Sequence, residues 1–215
     1  MTPHTIIQFA GETLLLNPLR SIFWPREEML VFSDIHLGKA AHFRKHGIAV
    51  PAQIMQKDLQ RLFELIMYYQ PKTITVVGDL FHSGYNSEIR EFVQWLQTIP
   101  QINWLLVKGN HDKNIIPAHL SFYTTISDNL SLGPITFVHQ PGEVTSHCIC
   151  GHIHPGATLK ISPHQKVKLP CFLVSPQQII MPAFSLFTGL DTEFAGKSHF
   201  AFTTYVIAEG NVVKV

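Results

Sequence analysis

The sequence predicts an α/β fold in which two β-sheets pack face to face with helices outside, and three observations carry that prediction. From residue 29, short continuous apolar runs alternate with helical stretches, the pattern of strands buried on both faces by crossover connections. After about residue 155 helical periodicity stops, and β-like runs broken by Pro and Gly point to a second, mostly antiparallel sheet. The chain of 215 residues is 46% apolar and 14% charged, a globular composition with length enough for a sizeable core.

The elements follow in order. Residues 5–9 and 13–16 read as strands around a turn at Ala10, Gly11 and Glu12, leading to Ile22, Phe23 and Trp24 as an edge or lid on the core. The buried runs are 29–32, 73–77, 104–107, 135–138 and 148–150. Between the first two, Met55, Leu59, Leu62, Phe63 and Ile66 mark the apolar face of a helix begun by Pro51 and Ala52 and stopped before Pro71. Ser87 and Glu88 open a second helix, whose stripe is Ile89, Phe92, Val93 and Leu96 and which ends before Pro100. The later strands are expected at 166–169, 172–175, 179–181, 201–207 and 212–215. No repeat, linker or shift of composition divides the chain, so residues 1–215 are expected to form one domain, with 1–24 packing on its core.

Sixteen basic residues less fifteen acidic ones leave a net charge of +1, which excludes a polybasic binder and makes any nucleic-acid contact a matter of a local patch. No run approaches a membrane span, and the opening MTPHTIIQFAGETLLL lacks a basic leader and a small-residue cleavage site; a soluble, cytoplasmic protein without a membrane partner is expected. Cys148, Cys150 and Cys171 form no C-x-x-C pair and read as reduced core residues. The 13 histidines direct attention to metal or acid/base chemistry.

Each buried run ends within a residue or two in a side chain that can bind a metal: Asp34 and His36, Asp79, Asn110, His139, and His152 with His154. Ligands of open α/β sheets bind beyond the carboxyl ends of the strands, so these tips should converge on one crevice. Gly78, Gly109 and Gly151 each precede a donor, where a residue without Cβ permits a sharp turn or positive φ. Imidazole mixed with carboxylate and carboxamide, and no thiolate, suits Mn, Fe or Zn. Seven donors exceed one ion's coordination; two ions sharing a bridging carboxylate use them all, with Asp79 as the bridge. Such a pair hydrolyses phosphoesters. His111, held by Asp112, is then placed to stabilise the transition state or protonate the leaving oxygen.

The ordered series D-x-H, G-D, G-N-H-D, H, G-H-x-H resembles the calcineurin-like metallophosphoesterase superfamily. The resemblance implies a four-layer αββα sandwich with two packed mixed sheets. It further implies one ion on Asp34, His36, Asp79 and His154, a second on Asp79, Asn110, His139 and His152, and His111 with Asp112 as the catalytic pair. The stretches DIHLGKAAHFRKHGIAVP, GDLFHS, GHIHP, LPCF and MPAFSLFTG are more narrowly similar to the bacterial DNA ligase-associated metallophosphoesterases, with Ile35 in place of leucine and Ser185 in place of glycine. That likeness implies a Mn²⁺-dependent phosphodiesterase or endonuclease of DNA repair, acting on single-stranded or flapped DNA alongside an ATP-dependent DNA ligase and a helicase. G-D-L-F-H also resembles the double-strand-break repair nucleases, which puts His82 beside the metals to position substrate.

For His4, His42, His46, His119, His147, His164 and His199 the structural or surface reading stands. The basic stretch with Lys39, Arg44 and Lys45 supports two readings, contact with phosphates flanking a scissile bond or a solvated loop. Phe43, Tyr85 and Phe187 are candidates for stacking on bases, against a background in which most of the 15 phenylalanines are core. Two alternatives remain: the same site acting on a small substrate (a cyclic dinucleotide, nucleotide or phosphomonoester), and a non-catalytic scaffold that has kept the fold.

Overall fold

The computed structural model describes residues 3–51, 53–82, 84–112, 124–142 and 146–215. The first sheet begins as a meander, β1 (Thr5–Phe9), β2 (Glu12–Asn17) and β3 (Ser21–Trp24), and continues antiparallel into β4 (Met29–Phe32). From β4 the chain adds β5 (Thr73–Val77), β6 (Asn103–Val107) and β7 (Thr124–Ser127) in parallel, giving the spatial order β1 to β7. The N-terminal strands therefore extend the sheet rather than lie over it as a lid.

The second sheet is mixed. It holds β8 (Asn129–Leu132), β9 (Ile135–Val138), β10 (His147–Cys150), β11 (Gly156–Ser162), β12 (Gln165–Val174), β13 (Gln178–Ile180), β14 (Thr203–Ala208) and β15 (Asn211–Lys214). Its order is β15-β14-β12-β13-β10-β9-β8, with β11 paired to β12. Strands β9, β10 and β13 run parallel to one another and the rest pair antiparallel. The runs expected at 166–169 and 172–175 are one strand, β12, which continues through Pro170 because Pro155 and Gly156 of the hairpin partner cross it there.

Alternation sorts the second sheet's side chains. Ile149, Phe172 and Ile179 point to the first sheet, where Phe137 meets Trp24 at 6.5 Å between ring centroids. Cys150, Cys171, Leu173, Ile180 and Val206 point away and are covered by Phe194 of the one-turn helix α4 (Phe194–Lys197), Phe202, and Ala157 and Leu159 of β11. This outermost layer is thin among the described residues. All three cysteines are buried and unpaired, and burial pushes the Cys171 thiol up to about 12, so it behaves as a small hydrophobe.

Two longer helices pack into the core of the first sheet. Helix α2 (Ile54–Tyr69) buries Met55, Leu62, Leu65 and Ile66, whereas Phe63, expected on this face, is 47% exposed. At 100° per residue Phe63 falls to one side of the arc that those four define. Helix α3 (Ser87–Leu96) buries Ile89, Phe92, Val93 and Leu96, but its cap is Asn86, whose side-chain oxygen accepts from the backbone N–H of Glu88 and Ile89. Residues 39–45, expected to be loop, form helix α1 (Lys39–Lys45) after the left-handed Gly38. Ala52, expected at a helix start, and His119 lie outside the described residues.

Candidate metal centre

Parallel register brings the strand tips level. Phe32 lies beside Val76 and Val77 beside Val107, so the residues after β4, β5 and β6 emerge side by side; Ile149 beside Phe137 does the same for β9 and β10. The two sheets present these tips to a shared seam. Asp34 and His36 follow β4, Asp79 follows β5, Asn110 follows β6, His139 follows β9, and His152 and His154 follow β10.

The chain turns sharply to aim them. Asp34, His36, Asp79, His152 and His154 themselves adopt left-handed backbone, with φ of 54°, 50°, 50°, 69° and 53°. Of the three glycines expected to make these turns only Gly78 has positive φ. Gly109 and Gly151 serve close approach instead: a methyl at Gly109 would overlap the Asp79 carboxylate, and one at Gly151 would overlap Asp34 and Ser33.

The expected donors gather in two groups, Asp34 with His36 and His154, and Asp79 with His139 and His152, while His36 also stands within ligand distance of His82 and His111. In the first, His36 Nε2 lies 3.3 Å from His154 Nε2, and His154 Nε2 lies 3.3 Å from Asp34 Oδ1. In the second, His139 Nε2 faces Asn110 Oδ1 at 2.9 Å, His152 Nδ1 at 3.2 Å and Asp79 Oδ1 at 3.5 Å. The other carboxylate oxygen, Asp79 Oδ2, is turned toward His36 Nε2 at 4.0 Å and His111 Nε2 at 3.9 Å. One carboxylate thus offers an oxygen to each group. Neighbouring ligands on an ion held at ~2.0–2.2 Å are about 3.0 to 3.4 Å apart, so these spacings fit divalent cations. His139 Nδ1 lies 3.2 Å from the Val77 carbonyl; donating there is the tautomer that would free Nε2 to ligate an ion.

Electrostatics match the donor set at His36 and Asp79. Burial holds His36 down at about 3, outweighing Asp34 and Asp79, so its ring is neutral and able to ligate. Burial raises the Asp79 pKa, but the hydrogen bond and charge of His139, the His111 N–H at 3.0 Å and His36 outweigh it and bring the carboxyl to about 2. Burial pulls His139 toward neutrality and is in turn outweighed by Asp79 and Asp34, which raise it.

The expected pairing of His111 with Asp112 is not formed. The Asp112 carboxylate is fully buried and accepts from three backbone N–H groups, Gly109 at 2.9 Å, Phe81 at 3.0 Å and Leu80 at 3.3 Å, so it ties the loop after β6 to the loop after β5. His111 instead stacks on His82 (4.9 Å, 28°) and meets His36 edge-on (5.4 Å). His82 is half-buried and held at about 4, first by burial and then by the positive field of Lys39.

Of Lys39, Arg44 and Lys45 only Lys39 lies close to the centre, where Asp34 and Asp79 act on its ammonium and burial lowers its pKa against them, while His42 meets His82 edge-on at 5.8 Å. Arg44 is committed elsewhere, donating to the buried Glu88 of α3 at 2.7 Å, and Lys45 is exposed beside His42, His46 and Tyr85. Sequence reasoning missed a buried charged cluster, Arg20, Asp58 and Arg61. Arg20 donates to the carbonyls of Ala183 (3.1 Å) and Ser185 (2.6 Å), Arg61 to Phe184 (2.8 Å), and Asp58 accepts from Leu186 N–H (3.2 Å). The loop so held is bonded to Ser33 and Asp34 through the N–H groups of Phe184 and Ser185. The available signal was an aspartate within the apolar arc of α2, between Met55 and Leu62.

A profile of the calcineurin-like phosphoesterase family matches residues 28–171. The chain is similar to the crystal structure of Pseudomonas putida nuclease MPE at 26% identity, covering 99% of this chain and 100% of that one, with a TM-score of 0.82. A phosphoesterase from E. coli matches at 12% identity over 84% of this chain and 88% of that one, with a TM-score of 0.40. No helix among the described residues is long and apolar enough to cross a membrane.

Proposed function

Because the chain belongs to the calcineurin-like phosphoesterase family and is thus a hydrolase of phosphoester bonds, we propose that it is a dinuclear-metal phosphodiesterase that cuts DNA. The observation that carries this reading is the Asp79 carboxylate, whose two oxygens face different donor groups. In the proposal Asp34, His36, Asp79 and His154 hold one ion and Asp79, Asn110, His139 and His152 the other, with Mn²⁺ the preferred metal and Fe or Zn compatible with the same donors. Two such ions, when bound, clamp a phosphate, supply hydroxide near neutral pH and offset charge on the attacking and leaving oxygens.

The chain's own residues do the rest. His111 presents Nε2 beside Asp79 Oδ2 and is 38% exposed, which leaves it free to give a proton to, or hydrogen-bond, the leaving oxygen. His82 backs it by stacking and sets its orientation. Asp112 acts through the backbone by locking the two loops that carry Asp79 and Asn110. Lys39 provides positive charge at the substrate side.

A polymer is favoured over a small substrate because Asn110 is exposed and the space beside it, about 390 Å³ between Lys108, Asp128 and Gln140, opens outward. The likeness to a nuclease over 99% of the chain points the same way. A role in DNA repair beside an ATP-dependent ligase and a helicase belongs to the same proposal. The deciding experiment uses metal-stripped protein reloaded with Mn²⁺ on bis-p-nitrophenyl phosphate, p-nitrophenyl phosphate and labelled single-stranded DNA, with Asp79→Ala as control. Cleavage of diester and DNA, lost in the variant, is expected. Diester cleavage with intact DNA would leave a small-molecule phosphodiesterase, and no hydrolysis with any divalent metal would leave a scaffold.

A further inference from the structure

Beside the metal centre, on the side of Lys39, lies a groove of about 360 Å³ lined by Lys39, Phe43, Leu186, Phe187, Thr188 and Gly189. Its apolar walls are two partly buried rings from distant parts of the chain. Phe43 of α1 and Phe187 of the loop after β13 meet at 5.7 Å and 84°, forming a right-angled corner with the 45% exposed Leu186 at its mouth. A core contact would bury such rings. Here both are only partly buried, and the loop that carries Phe187 is fixed by the Arg20, Asp58 and Arg61 cluster.

The corner is joined to the chemistry at two points. Phe43 lies nearly parallel to His82 (6.2 Å, 21°), which stacks on His111 (4.9 Å, 28°), so three rings form a ladder from the groove to the metal donors. The Lys39 ammonium stands 5.7 Å over the Phe187 ring, and Lys39 lines the same hollow as His36. A chain whose phosphate sits at the metals would have its neighbouring phosphate near Lys39 and the attached planar group in the corner.

We propose that the corner of Phe43 and Phe187 is a base-stacking subsite that seats a nucleobase next to the scissile phosphate and so selects unpaired nucleic acid over bare phosphodiesters. The inference rests on the nuclease reading above. Stacking on an aromatic face is tolerant of sequence, because every base has a π-face, but it requires a base free of its own duplex stack. A fixed corner adds to this by presenting both rings without reorganisation.

The test reads binding as well as turnover. Mn²⁺-loaded protein is titrated into two single-stranded oligonucleotides with phosphorothioate linkages to slow hydrolysis, one carrying 2-aminopurine and one abasic. Wild type is expected to quench 2-aminopurine and to bind the base-bearing strand about 10-fold or more tighter than the abasic one. Phe187→Ala should bring that ratio close to one and remove most of the quenching, Phe187→Trp should restore both, and Phe187→Leu should not. Phe43→Leu, on the other wall, should give the same loss if Phe187→Ala does not fold. A ratio and quenching unchanged in Phe187→Ala, or retained in Phe187→Leu, would overturn the subsite alone. Wild-type protein that hydrolyses bis-p-nitrophenyl phosphate yet binds neither strand would overturn the nuclease reading, and the subsite with it.

Discussion

Five donor residues hold left-handed backbone that costs a non-glycine residue of order 1 kcal/mol or more, and they hold it together at one place. Residue types and their order along the chain were legible in the sequence; the angles were not, because nothing in D-x-H or G-H-x-H says which residue of the turn takes positive φ. The same blindness explains Asp112, whose place beside His111 in the chain says nothing of its being turned inward onto backbone amides. His111 acts on the leaving group in this reading without being needed to hold metal, so His111→Ala should keep its metal content by atomic absorption while turnover falls about 10² or more; equal loss of metal would contradict the division. Acid should weaken the metal-free fold. Burial keeps His36 at about 3 and His82 at about 4 in the folded chain. The unfolded imidazole titrates near ~6.5, so from about pH 6.5 to 4 only the unfolded chain takes up these protons and unfolding becomes easier as pH falls. Asp79, folded at about 2, adds a second loss below about pH 3.8. His139, raised by Asp79 and Asp34, contributes stability present below about pH 6.5 and lost as pH rises through its folded value, a dependence confined to pH above that window. Urea melts of chelated protein should show the midpoint falling between about pH 6.5 and 4.5, and a flat midpoint would contradict these protonation states.

Elements with a one-faced apolar pattern were legible, and elements made by context were not. The stripe of α3 and the buried runs of β4, β5, β6, β9 and β10 stand in the sequence as they stand in the fold. Helix α1 has a single buried residue, Ala40, and β11 is largely exposed, so neither carries a periodicity to read. The clamp on residues 183–186 shows the energetic side of the same point. Asp58 is 2% exposed and is the acidic partner of Arg61 at 2.9 Å, while also accepting from Leu186 N–H. Removing it leaves a buried guanidinium without its counter-charge, and breaking such a pair costs about 3 to 5 kcal/mol. Asp58→Ala should therefore lower the unfolding free energy by that order in urea denaturation, and Asp58→Asn, which keeps the hydrogen-bond acceptor, by less. A loss below about 1 kcal/mol would mean that water replaces the pair, as it does for exposed bridges.

The two-sheet architecture was legible from the change of pattern near residue 155, but the partition of strands was not: β9 and β10 read like their parallel counterparts β4 to β6 and yet belong to the other sheet. Hydrophobic runs announce burial on both faces; they do not say in which sheet. Since donors from both sheets meet at the seam, metal should stabilise the whole assembly. At a free concentration of 100 Kd an ion contributes about 2.7 kcal/mol, or about 5 to 11 °C of melting temperature for a chain of this length. Calorimetry with Mn²⁺ and then with chelator should show a single transition moving by that amount; a transition indifferent to chelator would contradict a site built across the seam. Synthesis from the N-terminus adds a further consequence of the split. A nascent chain that ends at His139 contains Asp34, His36, Asp79 and Asn110 but neither His152 nor His154, and β12 to β15, which complete the second sheet, emerge later still. Both donor groups stay open until residues 152 and 154 have emerged, so a nascent chain shorter than that carries no complete donor set.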